Sequence, residues 1–289
     1  MSNQLNMQSE NTLLATNIQI LVFTDFDGTL LDHYTYSFEN ASECMARLTE
    51  AGIPIIPNTS KTFAEVKELL EEMKLSSGFI TENGAAVYMP KGFLPEKPRG
   101  AVWKNGYWVK SFAQPRSYWQ DLIKRIKYNY PDQYEAFSDM DINRIVELTG
   151  LSVKKAELAA TRQYSEPLFW TGSESQQEKF ISDIKSMGAH PLKGGRFLHV
   201  CGDSNKGKAL QWLSNEYKRQ HKEMHVKSIA LGDGNNDIDM LEVADFAVRI
   251  SSPVHSAPQL KRTKHNYLSK AHGPEGWSQV MNQLIPEKK

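Results

Sequence analysis

The sequence predicts an α/β protein, a parallel sheet with helices on its faces, interrupted by a second α/β domain. Three observations carry that expectation. Short apolar, β-branched runs alternate with helix-period segments toward both ends of the chain. Acidic, glycine-containing stretches follow directly on two of those runs. A Pro/Gly-rich break and a Trp- and Tyr-rich stretch lie between the two ends.

Ile18 to Thr24 reads IQILVFT, the kind of run that makes a buried parallel strand. Ala41, Cys44, Met45 and Leu48 then fall at i, i+3, i+4 and i+7, one apolar helix face, with Gly52 to end it. Ile53 to Pro57 is the next strand. Thr62 and Glu65 have the spacing of a capping box for a helix with Val66, Leu69, Leu70 and Met73 on its inner face. Gly78 to Thr81 is a third strand. Alternation resumes with strand Val226 to Leu231, helix Asp237 to Val243 and strand Phe246 to Ile250. This order suits a doubly wound, Rossmann-like sheet, in which function belongs beyond the C-terminal ends of the strands.

Between the halves, Pro90 to Pro98 reads PKGFLPEKP and marks a boundary; Trp103, Tyr107, Trp108, Tyr118, Trp119, Tyr128 and Tyr130 follow. The expected division is therefore a core of residues 18–90 and 199–289, an inserted α/β domain over 91–198, and a loose tail over 1–17. The aromatic run suits the core of the small domain better than a sugar-stacking platform, because aromatic side chains carry large buried area. The final residues, PEKK, read as a frayed end.

The chain has 289 residues, with 34 Lys plus Arg balanced by 34 Asp plus Glu, so no basic field exists to hold a nucleic-acid backbone or an anionic membrane. A composition of 40% hydrophobic and 24% charged residues excludes a disordered chain. Cys44 and Cys201 stand alone, outside any zinc-type spacing, as expected of reduced thiols in a cytoplasm. No run approaches the ~18 apolar residues of a membrane span, and the N-terminus lacks the pattern of a signal peptide.

Chemistry concentrates at the strand ends. Asp25-Phe26-Asp27-Gly28-Thr29-Leu30 follows the first strand and sets two carboxylates where both can enter a crevice above the sheet. Such a pair suits a hard cation, and an oxygen-rich set favours Mg²⁺; the same letters also make an ordinary turn. Gly232-Asp233-Gly234-Asn235-Asn236-Asp237 follows a second strand and brings acids to the same edge, although Asp237 alone would equally serve as a helix N-cap. Thr59, Ser60 and Lys61 occupy a strand-to-helix turn that could hold a phosphate, or simply cap the helix. Lys206 sits at a helix start, where the dipole disfavours a cation, so it either answers to a negative partner or is a solvated surface lysine.

Asp25-x-Asp27-Gly28-Thr29, then Thr59, then Lys206, then Gly232-Asp233 with Asp237 resemble, in that order, the four signature motifs of the haloacid dehalogenase superfamily phosphatases. The long insert resembles the α/β cap of that superfamily's sugar-phosphatase branch, and Glu82-Asn83-Gly84-Ala85 is similar to its hinge motif. Thr59 to Thr62, Arg162 to Pro167, and Gly194-Gly195-Arg196-Phe197 with His199 resemble the mannosyl-3-phosphoglycerate phosphatase family, with Gln163 standing where that family's pattern has Glu.

The resemblance implies Asp25 as the nucleophile that forms an aspartyl-phosphate and Asp27 as the general acid and base. It implies Mg²⁺ held by Asp25, the Asp27 carbonyl and Asp233, and phosphoryl oxygens held by Thr59 and Lys206. Asn236 and Asp237 would orient Lys206 and the metal's surroundings. Substrate choice would fall to the cap, with Ser60, Lys61, Glu82, Asn83, Arg162, Ser165, Glu166, Arg196 and His199 as candidates: arginines suit a glycerate carboxylate, acids and hydroxyls suit a sugar. Each would equally serve as a surface or core residue, and His199, between Leu198 and Val200, has the setting of a core histidine.

The implied activity is Mg²⁺-dependent hydrolysis of a glycosyl-phosphoglycerate to glycosylglycerate and phosphate by a cytoplasmic enzyme. A broader sugar-phosphate phosphatase or a phosphosugar phosphotransferase would use the same aspartyl-phosphate. A non-catalytic phosphosugar-binding module would leave Asp27 without a purpose. The sugar and the oligomeric state stay open.

Overall fold

The computed structural model describes residues 17–194 and 196–287. Of the tail expected over 1–17 only Asn17 is described, and Gly195, Lys288 and Lys289 also lie outside the described residues. The chain forms two compact units. The first takes the described residues of Met1–Thr59, Leu70–Lys110 and Asn205–Lys289; the second takes those of Ser60–Leu69 and Ser111–Ser204.

The first unit is built on β1 (Ile18–Thr24), whose Leu21, Val22 and Phe23 are fully buried. Continuous apolar character on both faces is what a parallel strand covered on two sides requires. β1 pairs in parallel with β2 (Ile55–Pro57) on one edge and with β11 (His225–Gly232) on the other. β12 (Phe246–Ser251) and β13 (Asn266–His272) continue the sheet in parallel, giving the order β13-β12-β11-β1-β2. The chain winds outward one way from β1 to β2 and the other way from β11 to β13. The switch point therefore lies between β1 and β11, where a doubly wound sheet opens its crevice.

Helix α1 (Glu39–Glu50) buries Ala41, Cys44, Met45 and Leu48, the face its periodicity predicts, and packs with α9 (Gly273–Leu284). α7 (Lys206–Gln220) packs with the short α8 (Ile238–Val243). Trp277 of α9 is fully buried, and its Nε1 donates to Thr24 Oγ1 at the end of β1 (3.1 Å).

After β2 the chain forms α2 (Phe63–Glu72), opened by the predicted capping box: Glu65 N donates to Thr62 Oγ1 (3.2 Å), and Thr62 N donates to Glu65 Oε2 (2.8 Å). β3 (Phe79–Thr81) and β4 (Ala86–Pro90) start a second, antiparallel sheet, completed by β5 (Val102–Lys104) and β6 (Tyr107–Ser111) in the order β3-β4-β6-β5. Pro90 to Pro98 thus does not lead directly into the second unit. It leads to a hairpin that returns to β4, because Glu96 N and Arg99 N are held by Gln220 Oε1 (2.7 Å) and Glu216 Oε1 (3.1 Å) of α7. A Pro/Gly-rich break marks a change in the chain, not which sheet the strands after it join.

The second unit carries α3 (Arg116–Ile126), β7 (Tyr134–Ala136), α4 (Ile142–Thr149), α5 (Val153–Ala160), β8 (Glu166–Trp170), α6 (Glu174–Ser186), β9 (Leu192–Lys193) and β10 (Phe197–Val200). Its antiparallel sheet runs β7-β8-β10-β9. Trp119, Leu122, Phe180, Ile184, Leu168 and Val200 fill the space between the helices and that sheet. The aromatic run divides accordingly. Trp119 and Tyr130 join this core, whereas Trp103, Tyr107 and Trp108 belong to the β5-β6 hairpin of the first unit, and Tyr128 is exposed. Cys44 and Cys201 are both free and buried. Among the described residues no helix is long and apolar enough to cross a membrane.

Candidate active site

At the C-terminal end of β1 the chain turns sharply. Asp25 N donates to Leu231 O of β11 (2.9 Å), and Thr29 N and Leu31 N both return to Phe26 O (3.1 and 2.8 Å). With Phe26 and Leu30 fully buried as anchors, the loop presents Asp25 beside the neighbouring strand end. Gly28 is required twice over. Its φ is +73°, and a Cβ there would stand 2.5 Å from Asp233 Oδ2. Thr29 Oγ1 donates to the other oxygen, Asp233 Oδ1 (3.0 Å), so the first loop fixes the acid of the second.

The loop after β11 is equally close-packed. A Cβ on Gly232 would fall 2.4 Å from Asp237 Cγ. Asp237 Oδ2 accepts from Gly234 N (2.9 Å), and Asp237 Oδ1 accepts from Lys206 Nζ (2.6 Å). Lys206, fully buried at the first turn of α7, also lies 3.0 Å from Asp25 Oδ1. Asn205, the N-cap of α7, accepts from Lys208 N (2.8 Å), and Asn58 Nδ2 donates to Lys206 O (3.0 Å), so both the helix start and the lysine backbone are pinned. Burial opposes the Lys206 ammonium, but the carboxylates of Asp237 and Asp25 outweigh it and hold its pKa above the usual lysine range. Burial pushes Asp233 up and the Asp25 charge adds to that, offset in part by Thr29, His255 and Lys206. Burial likewise raises Asp237, and Lys206 pulls it back.

Thr59 is fully buried at the end of β2, with its N donating to Ile80 O (3.1 Å) and its O accepting from Asn83 N (2.9 Å). Glu82, Asn83 and Gly84 have φ of +46°, +57° and +87°, a left-handed turn between β3 and β4. Asn83 Oδ1 accepts from Asn236 Nδ2 (3.3 Å), and a Cβ on Gly84 would stand 2.1 Å from Asn205 O. This turn touches the loops that carry Thr59, Lys206 and Asn236.

One carboxylate oxygen from each of Asp25, Asp233 and Asp237 lies within 4.8 Å of the others, all three residues being buried. Three hard oxygen donors around one point fit a divalent cation. Asp237 differs from the other two, because Lys206 and Gly234 already engage both of its oxygens.

Asp27 stays in the loop after β1, bridged to Leu31, and the candidates for reading substrate, Ser60, Lys61, Arg162, Ser165, Glu166, Arg196 and His199, lie in the second unit. Ser60 O accepts from Arg162 Nη1 (3.2 Å), which also donates to Ser165 Oγ (3.3 Å); Lys61 lies in the same segment as Ser60. Glu166, fully buried, accepts from Arg116 Nε and Nη2, Gln120 Nε2 and Ser138 N. Those four donors occupy the roughly four lone-pair positions a carboxylate has, which makes Glu166 an internal clamp. Arg196 is exposed and donates through Nη1 to Leu148 O (2.5 Å). His199 on β10 is pushed down to about 3 by burial, with the Arg162 charge adding to the effect.

Two residues at the first unit's strand ends carry no motif. Asn58 is hidden inside a strand-end pattern, and His255 lies in the Ser/Pro segment after β12. His255 Nε2 is 3.2 Å from Asp233 Oδ2, and nothing in its local sequence marks that contact.

A model of the haloacid dehalogenase-like hydrolase family matches residues 22–97 and 194–259. A glucosyl-3-phosphoglycerate/mannosyl-3-phosphoglycerate phosphatase of Methanococcoides burtonii is 34% identical over 268 residues, spanning 92% of this chain and 97% of that protein. A protein of the same description from Persephonella marina is 33% identical, spanning 93% of this chain and 98% of its own. Among solved structures, BT1666 of Bacteroides thetaiotaomicron, described among phosphatases of the haloalkanoate superfamily, superposes with a TM-score of 0.66 at 15% identity, covering 94% and 97% of the two chains, a likeness of fold.

Proposed function

The chain belongs to the haloacid dehalogenase-like hydrolases and is a phosphatase, and from that premise we propose that it hydrolyses glycosyl-3-phosphoglycerates, mannosyl-3-phosphoglycerate first, through an aspartyl-phosphate on Asp25. The observation that carries the chemistry is the pair of contacts from Lys206 Nζ to Asp25 and Asp237. A lysine ammonium has three N–H donors. Two are spent on these carboxylates, which leaves the third for a phosphoryl oxygen next to the Asp25 carboxylate.

In the first step an Asp25 oxygen bonds to phosphorus while the P–O bond to the glycerate breaks, and Asp27 gives its proton to the departing alkoxide. In the second, Asp27 takes a proton from water, the water oxygen bonds to phosphorus, and the acyl-phosphate bond breaks to return Asp25 and release phosphate. Thr59 and Lys206 hold the phosphoryl oxygens throughout. Asp25, the Asp27 carbonyl and Asp233 would hold Mg²⁺, which neutralises charge between a carboxylate and a phosphate dianion. Asp237 anchors Lys206, and Asn236 ties the loop after β11 to Asn83.

The substrate assignment is supported by the descriptions of the two relatives, each matched over nearly its whole length. We assign reading of the esterified group to the second unit, through Arg162, Ser165, Arg196 and their neighbours. Free, buried Cys44 and Cys201 suit a cytoplasmic enzyme. The test is to rank phosphate release from mannosyl- and glucosyl-3-phosphoglycerate against sugar phosphates and an aryl phosphate, with Mg²⁺ present. Preference for the glycosyl-phosphoglycerates is expected; equal or better turnover of simple sugar phosphates would reassign the enzyme to a broader class, and phosphate passed to an added sugar acceptor would make it a transferase.

A further inference from the structure

We propose that His255 is a positioning residue that holds the Asp233 carboxylate in the orientation in which it binds a divalent cation. The inference deepens the proposed function and rests on its reading of Asp233 as a metal ligand.

Asp233 is a buried carboxylate with two oxygens to satisfy, and each has one polar side chain beside it. Thr29 Oγ1 approaches Oδ1 at 3.0 Å, and His255 Nε2 approaches Oδ2 at 3.2 Å. The two side chains come from different strand ends: Thr29 follows β1, and His255 follows β12. Together they leave the carboxylate little freedom to rotate about Cβ–Cγ, which a single donor would permit. A carboxylate oxygen has two lone pairs, so one contact on each still leaves a pair for a cation. The third constraint is Gly28, whose lack of a side chain lets Oδ2 sit where a Cβ would be 2.5 Å away.

The segment that carries His255 is itself anchored. Ser251 N and Oγ bond to Ser269 Oγ (2.9 Å) and Ser269 O (2.6 Å) at one end. Arg249 reaches Asn266 Oδ1 (3.0 Å) and Pro258 O (3.5 Å), closing the other. His255 Nδ1 lies 3.2 Å from Ser256 O, so the ring faces an acceptor at each nitrogen. Nε2 is the nitrogen that faces the Asp233 carboxylate. The His255 side chain stays 43% exposed, so its removal exposes no core. Groups just outside a metal's ligands that orient them change affinity by about 10–100-fold when lost.

The experiment titrates Mn²⁺ into the metal-stripped full chain by calorimetry, for wild type, Asp233→Asn, His255→Ala and His255→Gln. Melting temperatures are recorded without metal. The expected result is Mn²⁺ affinity about 10–100-fold weaker in His255→Ala, part of the loss restored in His255→Gln, whose amide keeps a donor, and metal-free melting temperatures unchanged. His255→Ala and His255→Gln both binding Mn²⁺ within twofold of wild type, while Asp233→Asn does not bind, would overturn the inference and leave the metal reading standing. A fall in metal-free melting temperature that accounts for the lost affinity would also overturn it, as a structural role. Wild type and Asp233→Asn binding alike would remove the metal reading, and the inference with it.

Discussion

Lys206 Nζ and Asp25 Oδ1 stand 3.0 Å apart inside a site where three carboxylates gather around that one lysine. The pair is a compromise between fold and chemistry. Asp25, Asp233 and Asp237 repel one another, Lys206 compensates only part of their charge, and burial raises the cost of what is left over. A site of this kind is held together by its surroundings, and the proposed cation would offset the charge that Lys206 leaves.

Asp25→Asn separates the two sides of that compromise. The substitution keeps shape and removes a charged nucleophile, so phosphate release with Mg²⁺ should fall by at least about 10³-fold, the scale on which loss of a nucleophile acts. The metal-free melting temperature should be unchanged or higher, because one of the three crowded charges is gone. Phosphate release within tenfold of wild type would remove Asp25 from the nucleophile's role.

The strand ends that make this cluster were legible because their signals are local. An apolar run, then an acid, then a glycine specifies both a strand and what leaves it, and β1 runs from Ile18 to Thr24 as that pattern implies. The inner face of α1 and the Thr62–Glu65 box were legible for the same reason, since a period or a spacing of three is contained within one element. What stayed hidden depends on pairs remote in the chain. Nothing near Gly84 announces that Asn205 will press against it, nothing near Glu166 announces Arg116 and Ser138, and nothing near His255 announces Asp233. The β5-β6 hairpin falls within residues expected in the inserted domain yet pairs beside β4 in the first unit, because sheet membership is decided by packing after the strands exist.

Gly84→Ala tests one such remote contact. The left-handed φ of +87° alone costs an alanine about 1–2 kcal/mol, and the added Cβ would also meet Asn205 O at 2.1 Å, at the N-cap of α7. Gly92→Ala is the control, with φ of +86° and nothing within 4 Å of the new Cβ. Both variants carry the backbone strain, and Gly84→Ala should lose more stability than Gly92→Ala because its Cβ also displaces the Asn205 backbone. Only Gly84→Ala should lose turnover, by about 10²-fold, because misplacing Lys206 by about 1 Å is enough for that. Equal kcat in the two variants would show that the turn does not position Lys206.

Glu166→Ala distinguishes an internal clamp from a group that reads substrate. Removing the carboxylate leaves the Arg116 guanidinium, 16% exposed, without its buried partner, which should cost about 3–5 kcal/mol in urea unfolding. Normalised to folded protein, turnover of a glycosyl-phosphoglycerate and of an aryl phosphate should fall together. A variant of wild-type stability that loses only the glycosyl ester would make Glu166 a substrate contact after all.

His199 gives a pH dependence with a definite sign. In the folded chain burial pushes its pKa down to about 3, against about 6.5 for an unfolded chain. As pH falls below about 6.5 the unfolded chain takes up a proton that the native imidazole refuses, so unfolding becomes easier until the native group also titrates near the lower value. Stability should therefore be complete above about pH 6.5 and decline toward about pH 3, and His199→Gln, which has no proton to refuse, should decline less over that window. Urea midpoints measured from pH 7 to pH 4 for both chains check this; parallel curves would show that His199 is not held neutral by its surroundings. A ring kept neutral at pH 7 donates or accepts a hydrogen bond but offers no charge to a glycerate carboxylate. Arg162 and Arg196 are the cationic groups among the second unit's substrate candidates beyond Lys61, so His199→Gln should raise KM for a glycosyl-phosphoglycerate less than Arg162→Ala does.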